Sequence, residues 1–474
     1  MGIKKNVIYN SILTLSNYIF GIILLPYITR VLGVDNIGAV DFVTNIVSYA
    51  IIFASLGIPT IGVRIIAKSK DSQESLNKNF SNLLLLNILY TLCAIVIFTI
   101  IFLRVESLAT YRPLLCIGAA HILASPFLIE WLYRGLENFK YIAFRNILIR
   151  CLYVVCVFIF VKGKGDYIIY YGLTVGTIVL NATINILHAR KFVKFRLSGI
   201  KISSYFFSSI KYGIYLLVTS MYTTISVAYL GLCTNNTQVG YYSIATKLFT
   251  IIVGFFNAFT IVVMSRASTL IANNDYKTHK IIIDKSINFI LSLSIPTIIV
   301  IEALAPQIIR VIAGIEFMPA VGVCRIITPL ILFVGIDQIL ANQILIPLEK
   351  DNWVLRASIL GAVIGVLLNI LLVDTFLAKG TACALLTTEI VLCVFYTSLI
   401  NKRKIHGLKL IPSIIKQLFH SIPYFIICIT IQYLSDDLWI IFGLSIPLSV
   451  GYFIVDQLIF LKNDLFIKLI SRKR

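Results

Sequence analysis

Residues 80–103 read FSNLLLLNILYTLCAIVIFTIIFL, a run of 24 residues that contains no charged side chain. An α-helix of this length rises about 36 Å, which exceeds the roughly 30 Å hydrocarbon core of a bilayer. Lys78 stands just before the run, and Arg104 directly follows it. A long apolar run with cations at both ends is typical of a transmembrane helix.

Comparable runs recur along the whole chain. Of its 474 residues, 59% are hydrophobic and 13% are charged, whereas soluble domains are about 25% charged. The sequence therefore predicts an all-α integral membrane protein with about 14 transmembrane helices. The predicted spans lie at approximately 6–30, 40–63, 80–103, 113–133, 141–161, 167–189, 209–231, 240–265, 284–304, 321–346, 356–374, 380–400, 413–433 and 439–461.

The connections between these spans alternate in charge. With the N-terminus taken as cytoplasmic, inward connections hold 31 of the 41 Lys and Arg residues, and outward ones hold 7. Because cytoplasmic loops are the ones enriched in Lys and Arg, this bias predicts that both termini are cytoplasmic. The three remaining cations, Arg150, Lys247 and Arg325, fall inside predicted spans. The net charge of +20 is spread over eight inward segments without a nucleic-acid-binding motif, so we predict no nucleic-acid partner.

The longest polar connection divides the first twelve spans into two sets of six. Both sets have the same orientation, and the sequence around Leu32-Gly33 resembles that around Leu230-Gly231 at the corresponding outward turn. We therefore predict two six-helix lobes that are parallel repeats, with a substrate path between them. The predicted domains are an N-terminal lobe at 1–189, a cytoplasmic basic linker at 190–211, a second lobe at 212–400, and two additional C-terminal helices with a basic tail at 401–474. The linker is interpreted either as a solvated loop or as a surface segment that binds anionic lipid.

Motifs for enzymatic chemistry are absent from the sequence. It contains neither the G-x-x-x-x-G-K-[ST] phosphate loop nor the H-E-x-x-H zinc motif. The largest predicted outward loop, about 305–320, carries Glu316 as its only acid. Membrane glycan polymerases usually need a larger loop that bears several acids. We therefore predict a protein that is not an enzyme, with no cofactor and no metal site.

Ionisable residues inside the predicted spans are the candidates for function, because a charge at the bilayer centre costs about 2.5–3.5 kcal/mol. Lys247 lies about two turns into the eighth span, and Arg150 lies near the middle of the fifth. The acids Asp41, Asp337 and Glu389 are candidates for ion coupling or for structural ion pairs. A cavity with more cations than acids favours an anionic substrate such as a phosphate.

Other charged groups of the spans have a structural interpretation. Arg325 is shallow enough in the tenth span for its side chain to extend outward to the lipid headgroups. Glu130, toward the cytoplasmic end of the fourth span, has Arg134 and Arg150 as candidate ion-pair partners. These interpretations stay open beside the functional ones.

Four stretches resemble a known family of membrane proteins. They are PYITRVLG at 26–33, SLGIPTIGVRIIA at 55–67, EWLYRGLENFKYI at 130–142 and GYYSIATK at 240–247, together with the late Glu389. These stretches are similar to motifs of the bacterial O-antigen-type polysaccharide flippases (Wzx-type) of the multidrug/oligosaccharidyl-lipid/polysaccharide exporter superfamily. The likeness is strongest over the first 150 residues. Arg134 departs from it, since the family often has an uncharged polar residue there.

The resemblance implies a flippase of the bacterial cell inner membrane. Such a protein would move an undecaprenyl-diphosphate-linked oligosaccharide (a repeat unit of O-antigen, capsule or exopolysaccharide) by alternating access, driven by an H+ or Na+ gradient. Its expected partners are this substrate, the coupling ion, membrane lipids and polysaccharide polymerase machinery. The residues expected to bind the substrate are Lys247, Arg30, Arg64 and Arg150, and those expected to couple the ion are Asp337, Glu389 and Asp41. The alternatives are a multidrug-type cation-coupled antiporter of the same superfamily and a membrane glycan polymerase.

Overall fold

The computed structural model describes residues 3–196, 201–403, 405, 407–408 and 410–461. In that part of the chain every regular element is a helix and no strand is present, which confirms the all-α prediction. Residues 197–200 of the predicted linker and the basic tail after residue 461 lie outside the described residues.

Fifteen α-helices are assigned among the described residues, and short 3-10 or π segments join several of them. The α-helices are α1 (Ile3–Ser55), α2 (Ile58–Ser69), α3 (Gln73–Arg104), α4 (Arg112–Ala124), α5 (Glu130–Gly135), α6 (Phe139–Phe160), α7 (Tyr167–Ala189), α8 (Ser203–Cys233), α9 (Asn236–Ala272), α10 (Tyr276–Ile312), α11 (Ala320–Ile327), α12 (Leu330–Ile339), α13 (Asp351–Lys402), α14 (Leu410–Leu434) and α15 (Leu438–Val455).

Eleven segments of the described chain are long and apolar enough to cross a membrane. Two of them, Ile19–Ser69 with 51 residues and Asp351–Lys402 with 52, are long enough to cross it twice, since each would rise about 75 Å as a continuous helix. Both contain a break, at Gly33 (φ 75°) and at Leu377 (φ 52°) respectively. The protein is therefore a multi-pass membrane protein, and the count of fourteen spans stays a prediction.

The predicted span at 113–133 is interrupted in the structure. Helix α4 ends at Ala124 and a 3-10 turn covers Ser125–Phe127. Ile129 then takes a positive φ of 35° before α5 begins. Such a conformation is uncommon for a β-branched residue and persists only where surrounding contacts hold it.

Contacts within the chain define two compact units, Met1–Ser243 and Ile244–Arg474. The first contains a core that includes Leu83, Trp131 and Tyr133, and the second contains a core that includes Ile290 and Ile339. The domain boundaries given above from the sequence stay a prediction.

Helix α8 packs closely on the first helices of the first unit. A Cβ added at Gly57, where φ is 79°, would lie 2.6 Å from the carbonyl oxygen of Ser209. A Cβ at Gly213 would lie 2.8 Å from the Leu56 side chain. The hydroxyl groups of Tyr90 and Ser209 are 2.8 Å apart. The contact between α2 and α8 therefore depends on glycine, both for its φ and for its lack of a side chain.

In the second unit, α10 begins with a side-chain cap. The carboxylate of Asp275 accepts a hydrogen bond of 3.0 Å from the backbone N–H of Thr278. Hydrogen bonds from Thr278 to the ionised form hold the pKa of the Asp275 carboxyl below its usual range. This cap satisfies an N–H that the first turn of a helix otherwise leaves unpaired.

Candidate functional site

A polar face runs along two neighbouring helices of the first unit. It consists of Asp41, Thr44, Asn45 and Ser48 on α1, and of Tyr170, Thr174, Thr177 and Asn181 on α7, all of them partly buried. Residues three or four apart lie on the same side of a helix, so each set forms one stripe. Polar stripes on apolar membrane helices face a protein interior or a water-filled space rather than lipid.

Most hydroxyl groups of the polar face donate to their own helix. Thr44 donates to the carbonyl of Val40 at 2.7 Å, and Thr174 donates to that of Tyr170 at 2.9 Å. This arrangement satisfies the donors locally and leaves oxygen lone pairs directed away from the helix. The buried Oδ1 of Asn181 accepts no hydrogen bond from the described residues. The polar face can therefore accept hydrogen bonds from a hydroxyl-rich ligand.

A carboxylate and a guanidinium lie at this face. Asp41 on α1 and Arg150 on α6 are both within electrostatic reach of Tyr170. The guanidinium of Arg150 lies 6.0 Å from the ring centroid of Tyr153, whose hydroxyl is 3.0 Å from that of Thr174. The structure thus brings together two residues that the sequence had proposed for separate roles. An exposed guanidinium beside tyrosine rings can pair with phosphate oxygens and leave the rings to stack on sugars.

The other predicted cations are Arg30 on α1, Arg64 on α2 and Lys247 on α9. Arg64 on α2 is exposed, donates from Nη1 to the Tyr212 hydroxyl at 2.8 Å, and lies 5.6 Å from the centroid of that ring. Arg30 is exposed on α1, and Lys247 is partly buried on α9 in the second unit. Arg64 does not join the group around Asp41, because the rest of α1 after Asp41 alone spans about 20 Å.

Two acids meet in the core of the second unit. Asp337 on α12 and Glu389 on α13 are 8% and 6% exposed, and their carboxyl groups lie next to each other and to the thiol of Cys393. Neither oxygen of Asp337 has a hydrogen-bond partner of ordinary geometry in the described part of the chain. Two neighbouring carboxylates repel each other when both are ionised, and one bound proton or cation would relieve that repulsion.

Sequence reasoning missed a buried network around Glu130. Arg145 was counted among the inward cations, at the cytoplasmic end of the predicted span 141–161. In the structure this side chain is only 3% exposed inside α6, and its Nη2 lies 2.9 Å from the Glu130 carboxylate. Arg145 also donates to the Oδ1 of Asn185, whose Nδ2 donates to the carbonyl of Leu128. The sequence did contain a signal for the burial of Arg145. Tyr141 and Ile149 lie four residues on either side of it, which places all three on one helix face.

One ion pair proposed from the sequence is present, and Arg325 has an acidic neighbour that the sequence did not predict. Glu130 also pairs with Arg134, at 3.3 Å and on its more exposed side. Arg325 lies 3.9 Å from Glu302, and its side chain is 50% exposed. Glu130 is therefore shared by two cations, and Arg150 is not one of them.

The chain is similar to known proteins over most of its length. The chain matches the family model described as "Polysaccharide biosynthesis protein" over residues 3–266, and the MatE model over residues 213–371. It is 24% identical over 395 residues to a protein of Escherichia coli (strain K12) named "Putative O-antigen transporter", covering 82% of this chain and 94% of that protein. A Shigella dysenteriae protein with the same name is 25% identical over 402 residues, covering 83% and 98%.

Solved structures share the fold. "Lipid II flippase MurJ, inward closed conformation" has a TM-score of 0.78 and 15% identity, and the match covers 97% of this chain and 100% of that one. A multidrug resistance MATE family transporter of the MOP superfamily has a TM-score of 0.64 and 13% identity, covering 83% and 94%. The names of these proteins indicate a transporter rather than an enzyme. Because one family model spans more than half of its length, the chain belongs to the polysaccharide biosynthesis protein family.

Proposed function

We propose that this protein is a flippase that moves a lipid-linked oligosaccharide from the cytoplasmic to the outer leaflet of the bacterial inner membrane. The observation that carries the proposal is the partly buried polar face with Arg150 and Asp41, set among apolar membrane helices. A sugar head group needs hydrogen-bond partners and ring surfaces inside the membrane, and its diphosphate needs a cation. The face supplies these groups, whereas a purely apolar cargo would need none of them.

The comparisons support the same substrate class. Curated relatives over most of the chain are named for O-antigen, and a protein of the same fold is named for lipid II. We therefore take the cargo to be an undecaprenyl-diphosphate-linked repeat unit that crosses by alternating access, in a protein with both termini cytoplasmic. Head-group contact is assigned to Arg150 first, then to Lys247, Arg30 and Arg64. Arg64 donates one of its N–H groups to Tyr212, and its remaining donors are available to a phosphate.

Deleting the gene in its native host tests the function. Lipid-linked repeat units should accumulate on the cytoplasmic leaflet while surface glycan is lost, and the gene supplied on a plasmid should restore both. Accumulation on the outer leaflet would instead identify a polymerase. Unchanged glycan together with a new sensitivity to cationic drugs would identify a multidrug-type antiporter.

Energy coupling is proposed for the acids Asp337, Glu389 and Asp41. Two adjacent carboxyl groups in apolar surroundings are suited to share one proton, which removes their mutual repulsion. The pair between α12 and α13 has this arrangement, so we take H+ as the coupling ion and Asp337 and Glu389 as its main site. Asp41 is the proposed coupling acid of the first unit, where it lies at the polar face.

The coupling site is tested with amide variants. In Asp337→Asn and Glu389→Gln, flipping in reconstituted vesicles should lose its dependence on a proton gradient, because the shared proton has no site. Asp374→Asn is the matched control, since this acid lies on α13 but is exposed. Gradient dependence that persists in both variants, or that follows sodium instead of protons, would reject the assignment.

A further inference from the structure

A strongly basic segment follows α7. We call residues 190–196 together with Lys201 the basic strap. Its cations, all exposed, are Arg190, Lys191, Lys194, Arg196 and Lys201. The whole stretch 190–211 contains no Asp or Glu. The cations of the strap are thus not neutralised by acids of their own segment.

The backbone of the strap is fastened to α3. The N–H groups of Lys194 and Lys201 donate to the Oδ1 atoms of Asn77 and Asn82, each at 2.8 Å. The N–H of Arg196 donates to the hydroxyl of Ser81 at 2.9 Å. These three acceptors on α3 are 3%, 1% and 1% exposed. Buried side chains hold the main chain of the strap, which leaves its cationic side chains to point outward.

The position of these acceptors along α3 indicates how deep in the membrane the strap lies. Asn82 is directly followed by the apolar stretch 83–103. That stretch rises about 32 Å, which matches the hydrocarbon core of a bilayer. Residues 77–82 therefore lie just outside the hydrocarbon, at the depth of the lipid headgroups. Phe195, between Lys194 and Arg196, and Phe207, in the first turns of α8, are 48% and 80% exposed, as suits a boundary with lipid rather than water.

We propose that the basic strap is a binding surface for the phosphate headgroups of anionic phospholipids in the adjacent leaflet. Each cation near an anionic membrane surface strengthens binding about fivefold. Holding the backbone in place lowers the ordering cost of engaging several headgroups at once. This role is independent of the transported substrate, and the orientation proposed above makes the leaflet the cytoplasmic one.

Matched charge variants of the full-length protein test the proposal. The strap variant is Lys191→Gln/Lys194→Gln/Arg196→Gln, and the control, from α9 and α10, is Arg266→Gln/Lys277→Gln/Lys280→Gln. Each removes two exposed Lys and one exposed Arg from segments of the same predicted side. Native mass spectrometry would measure binding of phosphatidylglycerol and of phosphatidylcholine to each purified protein. We expect the strap variant to lose at least tenfold in apparent affinity for phosphatidylglycerol, the control to stay within about threefold of wild type, and phosphatidylcholine binding to be unchanged.

A second variant tests the acceptors on α3 apart from the cations of the strap. Asn77→Leu/Asn82→Leu keeps every cation but removes two acceptors of the strap backbone, so it should lose part of the phosphatidylglycerol affinity. Circular dichroism and gel filtration would confirm that the asparagine variant folds. If it does not fold, the comparison of the strap variant with its control tests the proposal. Equal losses in the strap variant and the control, or no loss in either, would overturn the proposal. So would a strap variant that keeps phosphatidylglycerol and loses undecaprenyl diphosphate, since the strap would then recruit substrate.

Discussion

Arg145 and Arg150 lie on the same helix but on different sides of it. Five residues advance an α-helix by about 140° beyond a full turn, so one guanidinium is buried against Glu130 while the other is exposed near Tyr153. Arg145 already has carboxylate and amide partners, whereas Arg150 forms no ion pair with an acid among the described residues. The first is suited to hold helices together, and the second to bind an anion from outside the protein.

Arg145→Met should destabilise the protein by about 2 kcal/mol, because it removes the charge-assisted hydrogen bonds that the buried guanidinium donates to Glu130 and Asn185. Arg134→Met is the control, since it removes a cation from the same carboxylate at an exposed position and should cost under about 1 kcal/mol. Thermal unfolding of the purified proteins in one detergent would measure both. Equal melting temperatures for the two variants would contradict the structural role of Arg145.

Arg150→Gln should lower flipping about tenfold with an unchanged melting temperature, because an exposed side chain that binds substrate contributes little to stability. Arg150→Lys should recover part of the activity, since it keeps the charge but loses bidentate pairing. The measurement is transport by reconstituted protein, with Arg104→Gln as an exposed control at the end of α3. Full activity of Arg150→Gln would remove this residue from the substrate site.

At the scale of elements, the apolar runs predicted where helices occur but not where they break. The break between α4 and α5 contains Ile129 with positive φ and no Gly, and Pro126 in the preceding turn is its only local helix-breaking residue. The carbonyl of Leu128 beside it accepts from Asn185, which is 57 residues away in sequence. A hydrogen-bond partner on another helix stabilises this break, and local sequence patterns carry no information about such a partner. The break at Gly33 is different, because glycine favours positive φ by itself.

Gly57→Ala should lower stability by about 2 kcal/mol, because alanine is strained at φ 79° and its Cβ would collide with the backbone of α8. Gly176→Ala on α7 is the control, since no atom lies within 4 Å of its added Cβ. It should be neutral or slightly stabilising, as alanine favours a helix interior. Thermal unfolding would compare the two, and a neutral Gly57→Ala would mean that α2 and α8 are not packed as described.

At the scale of the whole molecule, the sequence predicted the properties that the bilayer itself imposes. Apolar runs and the all-helical fold follow locally from the need to satisfy backbone hydrogen bonds in lipid. The site was predicted less completely. The pattern found Asp41, Arg150 and the two acids of the second unit as isolated charges, but it could not pair them, because the partners lie on different helices. For the same reason it counted Arg145 among the inward cations and did not find its partner Glu130.

The charge bias predicts the orientation, which cysteine labelling can measure. In a variant without native cysteines, Glu316→Cys should react with a membrane-impermeant maleimide added to intact spheroplasts. Lys277→Cys should react only after the membrane is permeabilised. Both positions are exposed, so access to the reagent depends on the side of the membrane. The reverse pattern would invert the proposed topology.

Helix α3 also limits how the protein can adapt to the thickness of the bilayer. A membrane helix ordinarily adapts to a thicker or thinner bilayer by tilting. Here Asn77, Ser81 and Asn82 tie α3 to the basic strap, so a tilt of α3 has to move the connection between α7 and α8 as well. We therefore expect hydrophobic mismatch to act on this connection, so that the activity of the reconstituted protein varies with the acyl-chain length of the lipids.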